Sequence, residues 1–404
     1  MATQVTGAGG TTASFSNTPQ AKDDIFNYTE DTVVLASGSQ TIIVLDVMAN
    51  DQGGNAKSLF SVDDGISAST ATKQYAPIDL TTQDVQATGV SAWESIGGGV
   101  SIRINNGKVE MDLTGYLAAH GFSSLQAMGA DDHINETFTY AIKLGGGTLS
   151  WASVSVNIQG TNDGAVITAV PGADLAVLEA GGVANGTLND PNAHGQLVIT
   201  DPDAGQNHFQ APPSLQGTYG TFTFDTTTGA WTYLLNQTLA DPLTQGQDVT
   251  ETLTVKSADG SASYDIKVNI HGTNDVPVIG GVTTGSVTEE VAVDATNHLN
   301  TSGLLTIADV DQGQSNFTAQ PSFAGTYGTF TLDAAGHWTY SADDTQTAIQ
   351  QLGASDSITD SFTAVSSDGT ASQLVTVTIH GTNDVPVIGG VTTGSVTEEV
   401  AVDA

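Results

Sequence analysis

The chain has 404 residues, with 44 Asp and Glu against 8 Lys and Arg, a formal net charge of −36 and no cysteine. The acidic excess excludes nucleic acid and anionic membrane surfaces as partners, since both bind basic surfaces. The lack of cysteine excludes disulfide frameworks, iron–sulfur clusters and thiol nucleophiles. No run of 18 apolar residues occurs, so no direct membrane insertion is expected.

Repeats determine the layout of the chain. The tetrapeptide Gly-Thr-Asn-Asp (GTND) occurs at 160–163, 272–275 and 381–384, and residues 271–295 recur unchanged as 380–404. A period of this size predicts tandem domains rather than small solenoid repeats. The predicted organisation is a flexible leader, three domains and the start of a further truncated repeat, over 1–18, 19–163, 164–275, 276–384 and 385–404.

Short runs of alternating apolar and polar residues predict half-buried strands. In chain order these strands are expected at 102–104 and 108–111, which flank an Asn-Gly turn, and at 153–158, 221–224, 329–332 and 375–379. Short helices are expected at 123–128 and 345–352. About seven strands in 110 residues predict an all-β fold of Greek-key β-sandwich domains.

Acidic and amide side chains recur in register around each GTND. A Glu follows after about fifteen residues, and an Asp-x-Asp pair, whose two carboxylates can converge on a loop, follows after about twenty more. Carboxylate and amide oxygens are ligands that Ca²⁺ takes. The residues are Asn162, Asp163, Glu179, Asp201 and Asp203 in the second unit, and Asn274, Asp275, Glu289, Glu290, Asp309 and Asp311 in the third.

The charge pattern favours a bound hard cation over a merely solvated acidic surface. Residues 268–404 contain 16 Asp and Glu but no Lys or Arg, so their carboxylates have no internal cation to pair with. Ca²⁺ takes 6–8 oxygen ligands, and sulfur and nitrogen ligands are scarce here. Any single motif also reads as an ordinary Asn-Asp or Asp-Gly turn.

Several motifs in order resemble the VCBS repeat of large bacterial RTX-type adhesins over 164–404. They include GTND-x-PVI, the Asp-x-Asp-x-Gly-Gln segments, and the GTYGTF and Trp-Thr-Tyr strands. Over 19–163 the segments 28–31 and 44–51 resemble the cadherin-like repeats found beside VCBS units. The resemblance implies extracellular Ig-like or cadherin-like β-sandwiches in an extended array, rigidified by calcium and exported by type I secretion.

The resemblance also implies a set of calcium ligands. These are Asp163, Glu179, Asp201, Asp203, Asp275, Glu289, Asp309, Asp311, Asp384 and Glu398, with Glu30, Asp46, Asn50 and Asp51 in similar places in the first unit.

The expected function is that of a calcium-stiffened extender region of a bacterial surface or secreted adhesin, which supports cell adhesion or biofilm formation. It would be a monomeric rod whose partners are calcium ions, neighbouring repeats, and host or biofilm glycans or proteins. No catalytic motif is present, and Trp231 and Trp338 are expected to be core anchors. Two alternatives stay open: a glycan- or protein-binding module in the first domain, with an insertion at 68–104, or accessory repeats of a secreted enzyme.

Overall fold

Apolar residues at alternating positions give most strands of this protein one buried face. Val100, Ile102 and Ile104, for example, are completely buried, and the residues between them are partly exposed. A computed structural model describes residues 3–6, 12–15, 20–63, 79–396 and 398. Its strands form six sheets that enclose three main apolar cores, one after another along the chain. The predicted all-β, tandem β-sandwich fold is confirmed.

The described residues of the first unit form ten strands in two sheets. One sheet has the order β1-β2-β10-β9-β5 with β3 on β10, and the other has the order β4-β8-β7-β6. The elements are β1 (Thr3–Thr6), β2 (Thr12–Phe15), β3 (Asp24–Thr29), β4 (Ile42–Leu45), β5 (Lys57–Asp63), β6 (Glu94–Gly97), β7 (Val100–Asn105), β8 (Lys108–Asp112), α1 (Thr114–His120), β9 (His133–Leu144) and β10 (Leu149–Gln159), with 3₁₀ turns at Gly54–Ala56, Asp79–Thr81 and Leu125–Ala127.

The second unit contains seven strands, in the sheets β11-β13-β15-β14 and β12-β17-β16. Its elements are β11 (Val166–Ala169), β12 (Ala176–Leu178), β13 (Asn192–Thr200), β14 (Gly220–Phe224), β15 (Ala230–Leu235), α2 (Gln237–Ala240), β16 (Asp248–Lys256) and β17 (Ser263–His271), with a 3₁₀ turn at Val183–Asn185.

The third unit repeats this plan with one added edge strand, in the sheets β18-β20-β23-β22-β21 and β19-β25-β24. Its elements are β18 (Val278–Gly281), β19 (Thr284–Thr288), β20 (His298–Ala308), β21 (Gln320–Ala324), β22 (Gly328–Leu332), β23 (His337–Asp343), α3 (Thr347–Gln350), β24 (Ser357–Val365) and β25 (Ser372–His380).

In every unit an early strand runs parallel to the last strand. β3 pairs with β10, β12 with β17, and β19 with β25, all in parallel register. The last strand also pairs antiparallel with the strand that precedes it. Because parallel neighbours point the same way, the residue after each early strand lies at the same end of the unit as the GTND that follows the last strand.

The GTYG motif has a structural role that its sequence does not reveal. In the third unit the carboxylate of Asp360, on β24, accepts hydrogen bonds from the backbone N–H groups of Thr326, Tyr327 and Gly328 at 2.8, 2.9 and 3.0 Å, and from the Tyr340 hydroxyl at 3.1 Å. A Cβ on Gly325 would lie within 2.6 Å of that carboxylate, so the turn requires glycine there.

The second unit has the same arrangement with a different acid. Glu251, on β16, accepts hydrogen bonds from the backbone N–H groups of Thr218 and Tyr219. The motif is therefore a turn of backbone donors wrapped around one buried carboxylate, which joins the two sheets of the second and third sandwiches.

The sequence located the strands well and the helices less well. The strands expected at 153–158, 221–224, 329–332 and 375–379 are confirmed. The hairpin between β7 and β8 is confirmed too, and positive φ values of 49° at Asn106 and 78° at Gly107 suit its two-residue loop. Of the helix expected at 123–128 only a 3₁₀ turn forms, α3 falls inside the helix expected at 345–352, and α1 and α2 were not expected.

Two regions of the first unit differ from what the sequence predicted. The leader contributes strands: β1 and β2 form a hairpin, and Phe15 pairs with Leu149 on the part of β10 that β3 leaves open. The insertion at 68–104 falls partly outside the described residues, and its described part supplies β6 and most of β7. Ile96 and Val100 there are buried in the core.

Candidate metal centres at the unit junctions

Each recurring Glu lies beside the GTND of its own unit. Glu179 directly follows β12, whose last residue pairs with His271 at the end of β17. The backbone N–H of Glu179 donates to the His271 carbonyl at 3.1 Å, and the backbone N–H of Thr273 donates to Oε2 of Glu179 at 3.1 Å. The parallel pairing thus brings Glu179 to the C-terminal end of the second unit.

The same geometry recurs in the other two units. In the first, the backbone N–H of Thr161 donates to Oε1 of Glu30 at 2.8 Å. In the third, the backbone N–H of Thr382 donates to Oε1 of Glu289 at 2.6 Å, and the backbone N–H of Glu289 donates to the His380 carbonyl at 2.9 Å. His271 and His380 therefore contribute backbone carbonyls to the Glu positions.

The Asp-x-Asp pair of the following unit meets this end. Between the second and third units, the backbone N–H of Asp275 donates to Oδ2 of Asp311 at 3.0 Å, and that of Asp311 donates to Oδ1 of Asp309 at 3.0 Å. A backbone hydrogen bond of 3.2 Å from Gln312 to the Pro242 carbonyl also crosses the junction.

The junction between the first and second units has the same contacts. Asp163 donates its backbone N–H to Oδ2 of Asp203 at 3.0 Å, Asp203 donates to Oδ1 of Asp201 at 2.9 Å, and Ala204 donates to the Ala127 carbonyl at 3.0 Å. Both junctions therefore bring together carboxylates from two successive units.

The grouping differs from the order along the chain. The sequence placed Glu179 with Asp163, Asp201 and Asp203, but the structure brings it to Asp275, whereas Glu30 belongs to the first junction. The reason is the parallel strand, which carries each Glu the full length of its unit, away from the GTND that precedes it.

The first-unit residues separate in the same way. Glu30 follows the end of β3, whereas Asp51 accepts a hydrogen bond from the backbone N–H of Lys22, just before that strand begins. Asn50 donates to the Asp23 carbonyl, and Asp46 pairs with Lys108. Asp46, Asn50 and Asp51 thus occupy the opposite end of the unit from Glu30.

The junction carboxylates are buried and incompletely hydrogen-bonded. Glu179, Asp311 and Asp275 are only 0%, 1% and 3% exposed. The buried carboxylate oxygens without a hydrogen-bond partner include Glu30 Oε2, Asp201 Oδ2 and Asp203 Oδ1 at the first junction, Glu179 Oε1, Asp275 Oδ2, Asp309 Oδ2 and Asp311 Oδ1 at the second, and Glu289 Oε2 and Asp344 Oδ1 at the end of the third unit. Such oxygens are costly to bury unless a cation compensates them, so these residues fit Ca²⁺ as oxygen ligands.

The pKa values at the second junction reflect this uncompensated charge. Burial raises the pKa of Glu179 to about 8; the Thr273 N–H opposes the rise, and the negative charges of Asp275 and Asp241 add to it. Burial together with Asp311, Asp241 and Asp309 raises the pKa of Asp275 to about 6. A bound cation would favour the ionised form of each group and reverse these shifts.

The side chains do not yet form a closed coordination shell. Within the described ranges, no three His, Asp or Glu side chains are arranged to hold a metal ion. Asp384 and Glu398 are exposed, unlike Glu289. The candidate centres therefore rest on buried oxygens without donors and on their shared negative charge.

Further acidic residues border these centres without having been singled out from the sequence. Asn162 donates to Oδ2 of Asp259 at 2.9 Å, and Asn274 donates to Oδ2 of Asp368 at 3.2 Å. Both partners belong to the recurring Asp-Gly turns, whose repetition was the available signal. Asp241 had no such signal, because the third unit has no acid in the matching sequence.

The tryptophans are buried as expected of core anchors. Trp231 is 3% exposed and Trp338 is 0% exposed, and Nε1 of Trp338 donates to the Val282 carbonyl at 2.8 Å. In the part of the chain that the structure describes, no helix is long and apolar enough to cross a membrane.

Part of the chain matches a known protein family. Residues 274–381 match the family model of the bacterial cadherin-like domain, a family of adhesion and structural domains. No curated protein matches the chain.

Solved cadherin structures are similar over most of the chain, each at 13% identity. PcdhgB3 EC1-4 matches with 90% of this chain and 74% of that chain covered and a TM-score of 0.36. The extracellular domain of protocadherin GammaB4 (92% and 51%, 0.35) and mouse cadherin-23 EC22-24 (90% and 96%, 0.31) follow. The chain spans about half of the GammaB4 structure. Residues 274–381, which make up most of the third unit, match the bacterial cadherin-like family, and the described chain is a tandem array of β-sandwich domains.

Proposed function

We propose that this chain is a calcium-stiffened extender region of a bacterial surface or secreted adhesin. The observation that supports the proposal is the recurrence, at both junctions, of buried carboxylates from two successive units with oxygens that lack donors. The resemblance to VCBS repeats of type I secreted adhesins points the same way. Cadherin-like repeats are typically extracellular and related to adhesion.

The residues that would hold calcium come from both sides of each junction. They are Glu30, Asp163, Asp201 and Asp203 at the first junction, and Glu179, Asp275, Asp309 and Asp311 at the second. Calcium would supply the positive charge that these carboxylates lack. The Glu and the GTND Asp belong to one unit and the Asp-x-Asp pair to the next, so binding requires the two units to keep one relative orientation.

Stiffening and folding are then coupled. An ion that binds only the ordered junction stabilises it by RT ln(1 + [L]/Kd), which is about 2.7 kcal/mol at one hundred times Kd. At ~3.3 Å per residue, a nine-residue strand spans about 30 Å, so three units give a rod on the order of 100 Å. Such a rod would display other parts of an adhesin away from the cell surface.

The test is small-angle X-ray scattering with parallel thermal melts, in EDTA and in millimolar CaCl₂. We expect calcium to raise the melting temperature and to change a flexible scattering profile into that of an extended rod. The double variant Asp309→Asn/Asp311→Asn should lose the calcium response of the second junction. Asp265→Asn, at an exposed position on β17, is the matched control and should keep it. Identical profiles and melts with and without calcium would overturn the proposal.

A further inference from the structure

The N-terminal end of the first unit is acidic and buried, as the junctions are, but its hydrogen bonding is different. Asp24 and Asp51 are only 8% and 9% exposed. The Tyr140 hydroxyl lies 3.0 Å from both carboxylate oxygens of Asp51, 3.1 Å from Oδ2 of Asp24 and 2.8 Å from the Val47 carbonyl. The backbone N–H of Lys22 donates to Oδ1 of Asp51 at 2.7 Å.

A lysine completes this arrangement. The ammonium group of Lys57, the first residue of β5, donates to the carbonyl oxygens of Met48 and Asp51, both at 2.6 Å. Short charge-assisted bonds of this kind are about twice as strong as neutral ones. Burial raises the pKa of Asp51, and the positive charges of Lys57 and Lys22 oppose that rise.

The contrast with the junctions lies in the unpartnered oxygens. Among the described residues, the buried side-chain oxygens without a partner include those of seven junction acids, Glu289 and Asp344, but none of Asp24 or Asp51. The supply of cations differs in the same way: six of the eight Lys and Arg of the chain lie between Lys22 and Lys143, and none follows Lys267.

We infer that the Lys57 ammonium is the resident cation at this end of the first unit, which therefore takes no calcium although both junctions do. Asp46, Asn50 and Asp51 are then not calcium ligands, despite their resemblance to the ligands of the other units. The order of this end of the first unit is then independent of calcium. The contrast with the junctions rests on the proposed function, whereas the role of Lys57 does not.

Hydrogen–deuterium exchange of the full chain, resolved by peptide and measured in EDTA and in millimolar CaCl₂, tests the inference. Calcium should slow exchange at least tenfold in peptides that contain residues 199–206 and 307–314. Exchange over residues 46–57 should be the same in both buffers. Calcium-dependent protection of residues 46–57 in the wild-type chain would overturn the inference.

A pair of variants tests the lysine itself. Lys57→Gln should speed exchange over residues 46–57 at least tenfold in EDTA and leave residues 307–314 unchanged. Lys108→Gln is the control, because its ammonium lies 3.3 Å from Asp46 with both side chains about half exposed, and it should change neither segment. If calcium restored the lost protection in Lys57→Gln, the lysine would be shown to stand in for a cation.

The two proposals can fail separately. If calcium protected no segment of the wild-type chain, the calcium-stiffened extender would be wrong, and Lys57→Gln would still report on the lysine. If Lys57→Gln left the exchange of residues 46–57 unchanged, the inference about Lys57 would be wrong, whatever calcium did at the junctions.

Discussion

Glu179 and Thr273 are 94 residues apart along the chain, and a hydrogen bond of 3.1 Å joins the Thr273 backbone N–H to one carboxylate oxygen of Glu179. The other oxygen of the same carboxylate is buried without a partner. One carboxylate oxygen thus fixes the position of the side chain, and the other is the oxygen that we propose binds calcium. The same division holds for Glu289 and Thr382.

Glu179→Gln separates these two roles. The amide oxygen can still accept the hydrogen bond from Thr273, but the buried charge is lost. We therefore expect the free energy of unfolding to rise by about 1 kcal/mol at the second junction in EDTA. That corresponds to a rise in Tm of about 5 °C. The rise of Tm on adding calcium should shrink by more than half. Calorimetry in both buffers checks this, and an undiminished calcium response would count against Glu179 as a ligand.

Gly272→Ala tests how closely the GTND segment packs against its own unit. A Cβ at this position would lie 2.5 Å from the Thr244 carbonyl oxygen and 2.8 Å from that of Leu243. Because both neighbours are backbone atoms, which cannot easily move aside, we expect the free energy of unfolding to fall by about 2 kcal/mol. The loss is measured as a lower urea midpoint. Gly389→Ala is the control, since no atom lies within 4 Å of its added Cβ; equal midpoints for the two variants would contradict the packing argument.

Asp360 gives the third unit a defined response to acid. Burial acts to raise its pKa, but the N–H groups of Thr326, Tyr327 and Gly328 and the Tyr340 hydroxyl outweigh it, so the pKa lies below its ordinary value of 3.8. A carboxyl with a depressed folded-state pKa contributes stability above its unfolded pKa, and that stability is lost as pH falls through the folded value.

The wild-type third unit should therefore lose stability as pH falls below about 4. Asp360→Asn should cost about 3 kcal/mol at pH 7, because hydrogen bonds to a charged acceptor are lost, and its stability should depend less on pH. Urea titrations at pH 7 and pH 3 measure both effects. Thr359→Ala, at an exposed neighbour on the same strand, should behave like wild type; a parallel pH dependence in Asp360→Asn would refute the assignment.

Trp338→Phe removes one specific contact from the third core. The indole N–H donates to the Val282 carbonyl at 2.8 Å from a completely buried ring. Losing this bond and leaving a small cavity should cost about 2 kcal/mol. The thermal midpoint of the third unit measures the loss. An unchanged midpoint would mean that the indole N–H does not help to hold the segment between β18 and β19 in place.

The sequence predicted those features that depend on neighbouring residues. Strands such as β14 and β22 follow from alternation alone, and the β7–β8 hairpin follows from Asn106-Gly107. What it could not predict are contacts set by topology. Glu179 was grouped with Asp163 because the two are close in sequence, whereas the parallel pairing of β12 with β17 carries it to Asp275.

Other features were missed for the same physical reason. The GTYG turn resembles an ordinary loop until Asp360, more than thirty residues later, is seen to accept its backbone N–H groups. Lys57 looks like any surface lysine, since only the folded loop directs the Met48 and Asp51 carbonyls toward its ammonium. α1 was missed because its N-cap position is occupied by Leu113, whose side chain cannot accept a hydrogen bond.

The parallel pairing of an early and a last strand also determines how each unit bears tension. When the two ends of a unit are pulled apart, these strands are drawn past one another along their length, so their ladder hydrogen bonds are loaded together in shear instead of being opened one at a time. Six residue pairs join β3 to β10, five join β19 to β25, and three join β12 to β17. The second unit should therefore rupture at the lowest pulling force.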